Sequence, residues 1–320
     1  MASPSSSSSQ RLPVALIAGP TASGKSALAV ALAQAVGRAQ VINADASQVY
    51  RDLTILSARP TAAEMQGVPH HLFGHVDGAD GAYHAARWAA EARRVVARAW
   101  EDDDIPILVG GTGLYLRTLL DGIAPVPAIA PDIRAEVRAM AVADAHAALT
   151  KADPAAAARL HPADTTRVAR ALEVVRATGR PLADWQRARE GGIAESVALV
   201  PLVLLPPRDE LRARCDARLA GMFERGAIDE VAALIARDLD PDLPVMRAIG
   251  VPQIAALLRG TLSRAEALDR AQAATRQYAK RQFTWLRHQP PAGWPRHEVS
   301  LSVDSIKEIA IKLQHALLTG

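Results

Sequence analysis

Short apolar runs, separated by polar and turn-forming residues, are the clearest pattern along this chain. Runs of this kind that stop at glycine or a polar residue are typical of buried parallel strands. They predict strands at residues 14–18, 41–42, 105–109 and 197–205. Helical spacing predicts helices over residues 24–36 and 82–100 and a final amphipathic helix over residues 305–318. The alternation predicts an α/β fold with a parallel sheet flanked by helices.

The pattern changes between the third and fourth predicted strands. Pro125, Pro127 and Pro131 open a run of Ala- and Arg-rich helical segments without a strand signal. We therefore predict an all-helical insertion at residues 123–196, a core domain from residues 12–122 and 197–320, and a disordered Ser-rich tail at residues 1–11. Within the insertion, an N-cap is predicted at Asp164, before a helix with the apolar stripe Val168, Ala171, Leu172 and Val175.

Composition sets broad limits on function. The chain has 320 residues, a net charge of +3 and a sequence pI of about 9.2, and Arg outnumbers Lys, which leans towards a polyanionic partner. Because Cys215 is the only cysteine, no internal disulfide can form and the cytoplasm is the expected compartment. No apolar run approaches the ~20 residues that span a bilayer, so we expect no membrane association.

A phosphate-binding loop follows the first predicted strand. The G-x-x-x-x-G-K-[ST] pattern is complete, and its residues are Gly19, Pro20, Thr21, Ala22, Ser23, Gly24, Lys25 and Ser26. Backbone N–H groups of such a loop surround phosphate oxygens, Lys25 adds a full charge, and the Ser26 hydroxyl can ligate Mg²⁺. The loop predicts a bound diphosphate with Mg²⁺ as cofactor, but it does not name the reaction because many enzyme classes share it.

Two other predicted strand ends bear on the chemistry. Asp45 follows the second strand, at the sheet edge where open α/β sheets bind ligands. Its carboxylate fits a general base or a metal ligand, and it fits the cap of a turn equally well. The third strand ends in Gly110, Gly111 and Thr112, where a nucleotide hydrolase would place an acidic residue that holds the metal. This difference counts against an ordinary ATPase.

Further motifs follow one another in a fixed order. They are the phosphate loop, residues 45–51, 69–72, 110–115, 170–174, 248–250 and 278–285, and the helical spacing of Arg214, Arg218, Met222, Gly226 and Glu230. Together, over residues 14–287, they resemble the tRNA dimethylallyltransferase family. The resemblance implies a P-loop NTPase-like sheet with an inserted helical domain that clamps tRNA.

The resemblance also implies an activity. A dimethylallyl group passes from dimethylallyl diphosphate to the exocyclic amine of the adenosine just 3′ of the anticodon, tRNA position 37, and diphosphate is released. By the same resemblance, Asp45 is the general base, Thr112 a hydrogen-bond donor near the reacting groups, and Arg214 a diphosphate clamp. The physical chemistry agrees, because loop donors and Lys25 stabilise a leaving diphosphate without an activated water. The implied partners are dimethylallyl diphosphate and the tRNA anticodon stem-loop, and we expect a monomer.

The resemblance places tRNA contacts at Asp45, Ala46, Ser47, Gln48, Thr112, Arg134, Ala169, Arg170, Ala171, Leu172, Glu173, Arg247, Ala248, Ile249, Gly250, Val251 and Pro252. Helical spacing adds Arg276 and Lys280, which share a basic face that fits RNA phosphates, with a solvated charged face as the alternative. Tyr278 and Trp285 fall on the opposite face and are predicted to be core. The chain departs from the family pattern at Ala46, Ser47, Arg59, Val251 and Pro252, which leaves the fine contacts open.

Three other functions stay open at the level of the sequence. A small-molecule kinase would share the loop and turn over ATP, but it has no use for the helical insertion or the basic C-terminal helix. An adenylate isopentenyltransferase would use a free nucleotide as acceptor. An RNA-binding module would use the loop only to sense a nucleotide.

Overall fold

The structure, a computed structural model, describes residues 11–319. All of the predicted Ser-rich tail except Arg11 lies outside the described residues. The described chain divides into two compact units, one formed by residues 11–119 and 194–319 and the other by Leu120–Ile193. The second unit contains most of the predicted insertion, and each of its edges lies three residues before the predicted 123–196.

The first unit is built on a six-stranded sheet in which neighbouring strands are parallel. Its strands are β1 Leu12–Ala18, β2 Ala39–Asn43, β3 His70–His71, β4 Ile105–Gly110, β5 Val197–Leu204 and β6 Arg296–His297, in the order β3-β2-β4-β1-β5-β6. This sheet confirms the predicted α/β fold. The sequence did not predict β3 and β6, because two polar or charged residues form no apolar run.

The three predicted helices over residues 24–36, 82–100 and 305–318 are present, with each end within three residues of its prediction, and further helices lie between them. They are α1 Lys25–Val36, α2 Ala62–Met65, α3 Ala85–Glu101, α4 Gly113–Asp121, α5 Pro131–Ala139, α6 Val142–Ala152, α7 Pro154–Arg159, α8 Thr165–Thr178, α9 Leu182–Arg187, α10 Arg208–Glu224, α11 Ala227–Ile235, α12 Val251–Leu258, α13 Arg264–His288 and α14 Val303–Thr319. The amphipathic α14 packs on α1 and buries Ala310, Leu313 and Leu317 against the sheet core.

Strand register brings three loops together at one edge of the sheet. Ala18 at the end of β1 lies opposite Gly110 of β4, and Asn43 at the end of β2 lies opposite Val109. Trp88 of α3 is fully buried and donates its indole N–H to the Asn43 carbonyl at 2.9 Å. The loops that follow β1, β2 and β4 therefore leave the sheet side by side, as the sequence predicted for this edge.

Helix α8 is the centre of the second unit. It begins after Asp164, whose carboxylate accepts a hydrogen bond from the Arg167 backbone N–H at 3.2 Å, and this confirms the predicted cap. Its buried stripe packs against α5 and α6, and α7 packs against α6 in the same core. The buried residues of this core are Val137, Ala145, Leu149, Ala156, Ala157, Val168, Ala171, Leu172 and Val175.

Three of the tRNA contacts predicted on α8 are buried inside this unit. Ala171 and Leu172 are 2% and 0% exposed and belong to its apolar core. Glu173 is 1% exposed because α5 covers that flank of α8, and its carboxylate accepts a hydrogen bond from Arg138 Nε at 3.0 Å. Arg170 Nη1 lies 3.6 Å from the other carboxylate oxygen. The prediction that Ala171, Leu172 and Glu173 contact RNA is therefore wrong.

We expect Glu173→Ala to lower the free energy of unfolding by about 1.5–3 kcal/mol, the range for a hydrogen bond to a charged group. The Arg138 side chain is mostly exposed and regains water, which places the effect at the lower end. Urea unfolding measures it, with Arg170→Ala as a control that keeps the Arg138 bond. An unchanged unfolding midpoint together with weaker RNA binding would contradict the burial of this carboxylate.

Candidate active site

The phosphate loop is tied to the sheet at its first residue. Gly19 donates its backbone N–H to the Gly110 carbonyl at 3.0 Å. Gly24, with φ of +91°, is the N-cap of α1, so the unpaired N–H groups of that helix end at the loop. Ala22 has a φ of +62°, a left-handed conformation that costs a non-glycine residue about 1–2 kcal/mol. Such a residue keeps this conformation only where its surroundings hold it.

Lys25 is a nearly buried cation within this loop. The residue is 8% exposed, and its ammonium donates a hydrogen bond to the Pro20 carbonyl at 3.4 Å. Burial lowers the pKa of Lys25, the negative charge of Asp45 opposes this change, and the positive charge of Arg218 adds to it. An anion bound in the loop would therefore stabilise an ammonium that has little water around it.

Two helices that are distant in sequence hold Thr21 of the loop. Arg218 of α10 donates from Nη2 to the Thr21 hydroxyl, and Gln282 of α13 accepts the Thr21 backbone N–H at 2.8 Å. Burial lowers the pKa of Arg218, whose guanidinium lies next to Cys215 and Asp45. Arg218 therefore brings a second desolvated cation to the loop, beside Lys25.

Asp45 caps a turn and also lines the candidate site. Its Oδ1 accepts hydrogen bonds from the Ser47 backbone N–H at 3.0 Å and from the Ser47 hydroxyl at 2.7 Å, which caps a turn. Its backbone N–H is held by the Asn43 side chain at 2.8 Å. The residue is 5% exposed and lines a cavity with Lys25. One carboxylate thus closes the turn and presents its charge at the site.

Thr112 and Tyr278 lie next to this turn. Thr112 Oγ1 accepts the Ala46 backbone N–H at 2.9 Å, so in the structure it acts as an acceptor that positions the segment after Asp45. Tyr278 lines the cavity, which makes the prediction that it belongs to the core wrong. Burial and the charge of Asp45 raise the pKa of Tyr278, and a hydrogen bond with Thr112 opposes the rise.

The cavity has a volume of about 390 Å³, with a charged end and an apolar wall. Lys25, Asp45 and Arg218 lie at the charged end. The apolar wall consists of Leu53, Leu56, Leu219, Met222, Pro244 and Ile249. A pocket of this composition can hold a small molecule that is anionic at one end and apolar at the other.

Glu230 of α11 shapes part of that wall. Its carboxylate accepts the backbone N–H groups of Thr54, Ile55 and Leu56 at 2.6, 2.7 and 2.9 Å. Gln48 acts similarly on the next residues, because its Nε2 donates to the carbonyls of Ser57 and Ala58. Gln48 is 8% exposed, so this predicted tRNA contact serves the pocket wall in the structure.

Other predicted site residues divide between the cavity and its surroundings. Arg247, Ala248 and Ile249 line the cavity together with Ala46 and Ser47. Arg214 lies instead in a neighbouring cavity of about 730 Å³, which it shares with residues 22–26 of the loop.

Val251 and Gly250 are buried at the start of α12, where Val251 is 1% exposed, so the predicted contact of the Val251 side chain with RNA is wrong. Arg134, Ala169 and Arg170 belong to the second unit, and Pro252 is exposed on α12.

The two predicted cations of α13 differ in their surroundings. Arg276 Nη1 pairs with Asp216 Oδ1 of α10 at 2.8 Å, whereas Lys280 is exposed. Both line a groove of about 490 Å³ together with Arg208 and Arg212. The groove fits phosphate contact, but the guanidinium of Arg276 is already paired with the Asp216 carboxylate.

Residues 48–289 match the family model described as IPP transferase, which is more than half of the chain. The chain belongs to the IPP transferase family. The tRNA dimethylallyltransferase of Sphingopyxis alaskensis is 75% identical over 306 residues, which are 96% of this chain and 100% of that relative. The tRNA dimethylallyltransferase of Erythrobacter litoralis is 59% identical over 293 residues, which are 90% of this chain and 92% of that relative.

Solved structures of IPP transferases share the fold. The tRNA isopentenylpyrophosphate transferase of Bacillus halodurans is 34% identical, with a TM-score of 0.70 and coverage of 97% of both chains. A eukaryotic dimethylallyltransferase acting on tRNA is 30% identical, with a TM-score of 0.74, covering 86% of this chain and 70% of that one. Among the described residues of this family member, no helix has the length and apolar character that crossing a membrane requires.

Four residues that shape the site of this IPP transferase were not predicted to do so from the sequence: Arg218, Glu230, Tyr278 and Gln282. Arg218 and Glu230 were part of the helical spacing that carried the resemblance, which was the available signal. Gln282 lies four residues after Tyr278 on α13, so both face the same side of that helix. Helical spacing could have shown that Tyr278 and Gln282 share a face of α13. It could not have shown that this face contacts the phosphate loop and the cavity.

Proposed function

We propose that this chain transfers a dimethylallyl group from dimethylallyl diphosphate to the exocyclic amine of adenosine 37 in tRNA and releases diphosphate. The observation that carries the proposal is the placement of Lys25, Asp45 and Arg218 at the charged end of one cavity that has an apolar wall. Membership of the IPP transferase family supports it, as do the relatives that are named tRNA dimethylallyltransferase.

The loop supplies stabilisation to the leaving group. As the bond between the allylic carbon and the diphosphate oxygen breaks, negative charge grows on the diphosphate. Lys25 and Arg218 are already desolvated and fixed, so they need little reorganisation to meet that charge. The apolar wall shields the allylic group, whose positive charge grows, from water that would hydrolyse it.

Asp45 takes the proton from the acceptor. The amine nitrogen forms a bond to the allylic carbon while the carbon–oxygen bond breaks, and the nitrogen becomes positively charged. The proton then passes to the Asp45 carboxylate, one oxygen of which is fixed by Ser47. Thr112 holds the backbone of Ala46 and so keeps this carboxylate at the cavity.

Mg²⁺ fits the residues of this site. The Ser26 hydroxyl and the Asp45 carboxylate line the same cavity and offer oxygen ligands. Mg²⁺ is usually bound through one or two carboxylates, substrate phosphates and waters, and within residues 11–319 no group of three or more His, Cys, Asp or Glu could hold a metal alone. When bound there, the ion would offset part of the diphosphate charge.

The acceptor adenosine must leave its stack to reach the cavity. Arg247 and Arg281 are exposed residues that also line the cavity, and they suit phosphate contact beside the extruded base. The cytoplasm is the compartment that agrees with a tRNA substrate. We expect a monomer, and light scattering of the purified chain measures its mass.

Incubation with dimethylallyl diphosphate, Mg²⁺ and unmodified tRNA tests the proposal. We expect one dimethylallyl group per tRNA, equimolar diphosphate, and loss of turnover in EDTA. A matched tRNA with guanosine at position 37 should not be modified, because its exocyclic amine sits elsewhere on the ring. Transfer to AMP but not to tRNA would instead indicate an adenylate isopentenyltransferase, and ATP consumption without either acceptor would indicate a kinase.

A further inference from the structure

Gln282 connects α13 to the phosphate loop. Its Oε1 accepts the Thr21 backbone N–H at 2.8 Å, and the two residues are 261 positions apart in the chain. Gln282 is 5% exposed, so water does not compete for this hydrogen bond. A tertiary contact of this kind restrains the loop independently of its own sequence.

The remaining part of the Gln282 amide is also enclosed. Its Nε2 is buried and has no partner of normal geometry among the described residues. A Cβ added to Gly111 would lie 2.5 Å from that nitrogen and 2.6 Å from the Gly19 carbonyl oxygen. The absence of a side chain at Gly111 therefore lets the amide approach the base of the loop. Leaving an N–H group unpaired in this place is unfavourable, so packing alone does not explain a glutamine here.

We propose that Gln282 is a positioning residue that holds the phosphate loop in its diphosphate-binding conformation before the substrate arrives. The next residue after Thr21 is Ala22, whose left-handed backbone needs support from its surroundings. Without an acceptor for the Thr21 N–H, Ala22 can relax towards an ordinary conformation and the binding-competent fraction of the loop falls. The apparent affinity for diphosphate falls by the same factor.

This role is distinct from contact with substrate. The Thr21 N–H is used by Gln282 and is therefore withdrawn from the phosphate oxygens, so the diphosphate depends more on Lys25 and Arg218. Tyr278, one turn before Gln282 on α13, lines the cavity. The same helix thus holds the loop and forms part of the cavity wall. The inference rests on the proposed function only in naming the diphosphate as that of a prenyl donor.

Gln282→Met tests the inference, because methionine keeps the length of the side chain and removes the acceptor. Gln272→Met is the matched control, since Gln272 joins the same helix to α10 through the Asp216 carbonyl at 3.1 Å and is not in contact with the loop. Calorimetric titration with inorganic diphosphate and Mg²⁺ is expected to show about tenfold weaker binding in Gln282→Met, equivalent to ~1.4 kcal/mol. The KM for dimethylallyl diphosphate should rise similarly, with the KM for tRNA within about twofold of native.

Hydrogen exchange of the peptide that covers residues 19–24 provides a readout independent of activity. It should become faster in Gln282→Met and stay unchanged in Gln272→Met. Gln282→Glu retains an acceptor for the Thr21 N–H and should keep this protection, even where the methionine variant does not fold. Native-like diphosphate affinity in Gln282→Met, fast exchange in Gln282→Glu, or a rise in the KM for tRNA alone would each overturn the inference. If Gln282→Met loses diphosphate affinity and the native chain never modifies tRNA, the proposed function is rejected, whereas the positioning role of Gln282 stands.

Discussion

Alanine at Lys25 is expected to lower kcat for prenyl transfer by about 10²–10³-fold, equivalent to ~2.7–4 kcal/mol for one preorganised donor. The reason lies in the surroundings of the ammonium. Lys25 is 8% exposed and its hydrogen bond to Pro20 is long, so its charge is poorly compensated until an anion binds. The compensation is greatest when the diphosphate leaves with its full negative charge. The loss therefore affects the transition state more than the bound substrate.

The same surroundings predict that this variant remains folded. Burial lowers the pKa of Lys25, which means that folding disfavours its charged form, and its removal should leave the melting temperature unchanged or raise it. Lys312→Ala is a suitable control, since that lysine pairs with Glu308 on the exposed surface of α14. Turnover of Lys25→Ala within about threefold of native, in a folded protein, would mean that the ammonium is not needed for departure of the diphosphate.

Local sequence was sufficient to predict the loop and the sheet edge. The glycine spacing of the loop, the apolar run before it and the helix after it are all within residues 14–36. Asp45 and Thr112 could be placed at the same edge because parallel strands end together, and the register of β2 and β4 agrees with this. The loop, Asp45 and Thr112 could be predicted because the place of each is determined by the one strand that it follows.

The supports of the loop could not be predicted in this way. Arg218 and Gln282 reach Thr21 from helices that begin nearly 190 residues or more after it, so their contact depends on how α10 and α13 pack. Helical spacing correctly placed Tyr278 on the inner face of α13. What it could not reveal was that this face borders a cavity instead of filled core.

A motif shared with a family does not show which of its own side chains are exposed, as Glu173 and Val251 illustrate. A motif identifies a stretch of helix near a substrate, but only some of its side chains face outward. α5 covers the flank of α8 that carries Glu173, and Val251 begins α12 with its side chain buried. The resemblance placed Glu173 at a tRNA contact, whereas its carboxylate is paired with Arg138 of a different helix. Which side chain pairs with a buried charge depends on the tertiary structure.

Asparagine at Asp45 is the substitution that separates the two roles of this residue. The amide oxygen can still accept the Ser47 N–H and hydroxyl, so the turn should remain closed. The negative charge is lost, and an amide does not take a proton from the acceptor amine. We therefore expect kcat to fall by about 10²–10⁴-fold, the usual contribution of a general base, with tRNA affinity nearly unchanged.

Asp240→Asn controls for the turn itself. Asp240 caps an exposed turn, because its carboxylate accepts a hydrogen bond at 2.8 Å from the backbone N–H of Asp242. The donor lies two residues after the carboxylate, as Ser47 does after Asp45. Both variants should unfold at the native midpoint, because each retains its capping bond, and only the Asp45 variant should lose turnover. If Asp45→Asn instead turns over normally with tRNA bound, the carboxylate is a cap and the proton leaves by another route. The Asp45 charge near Lys25 would then matter only for the electrostatics of the loop.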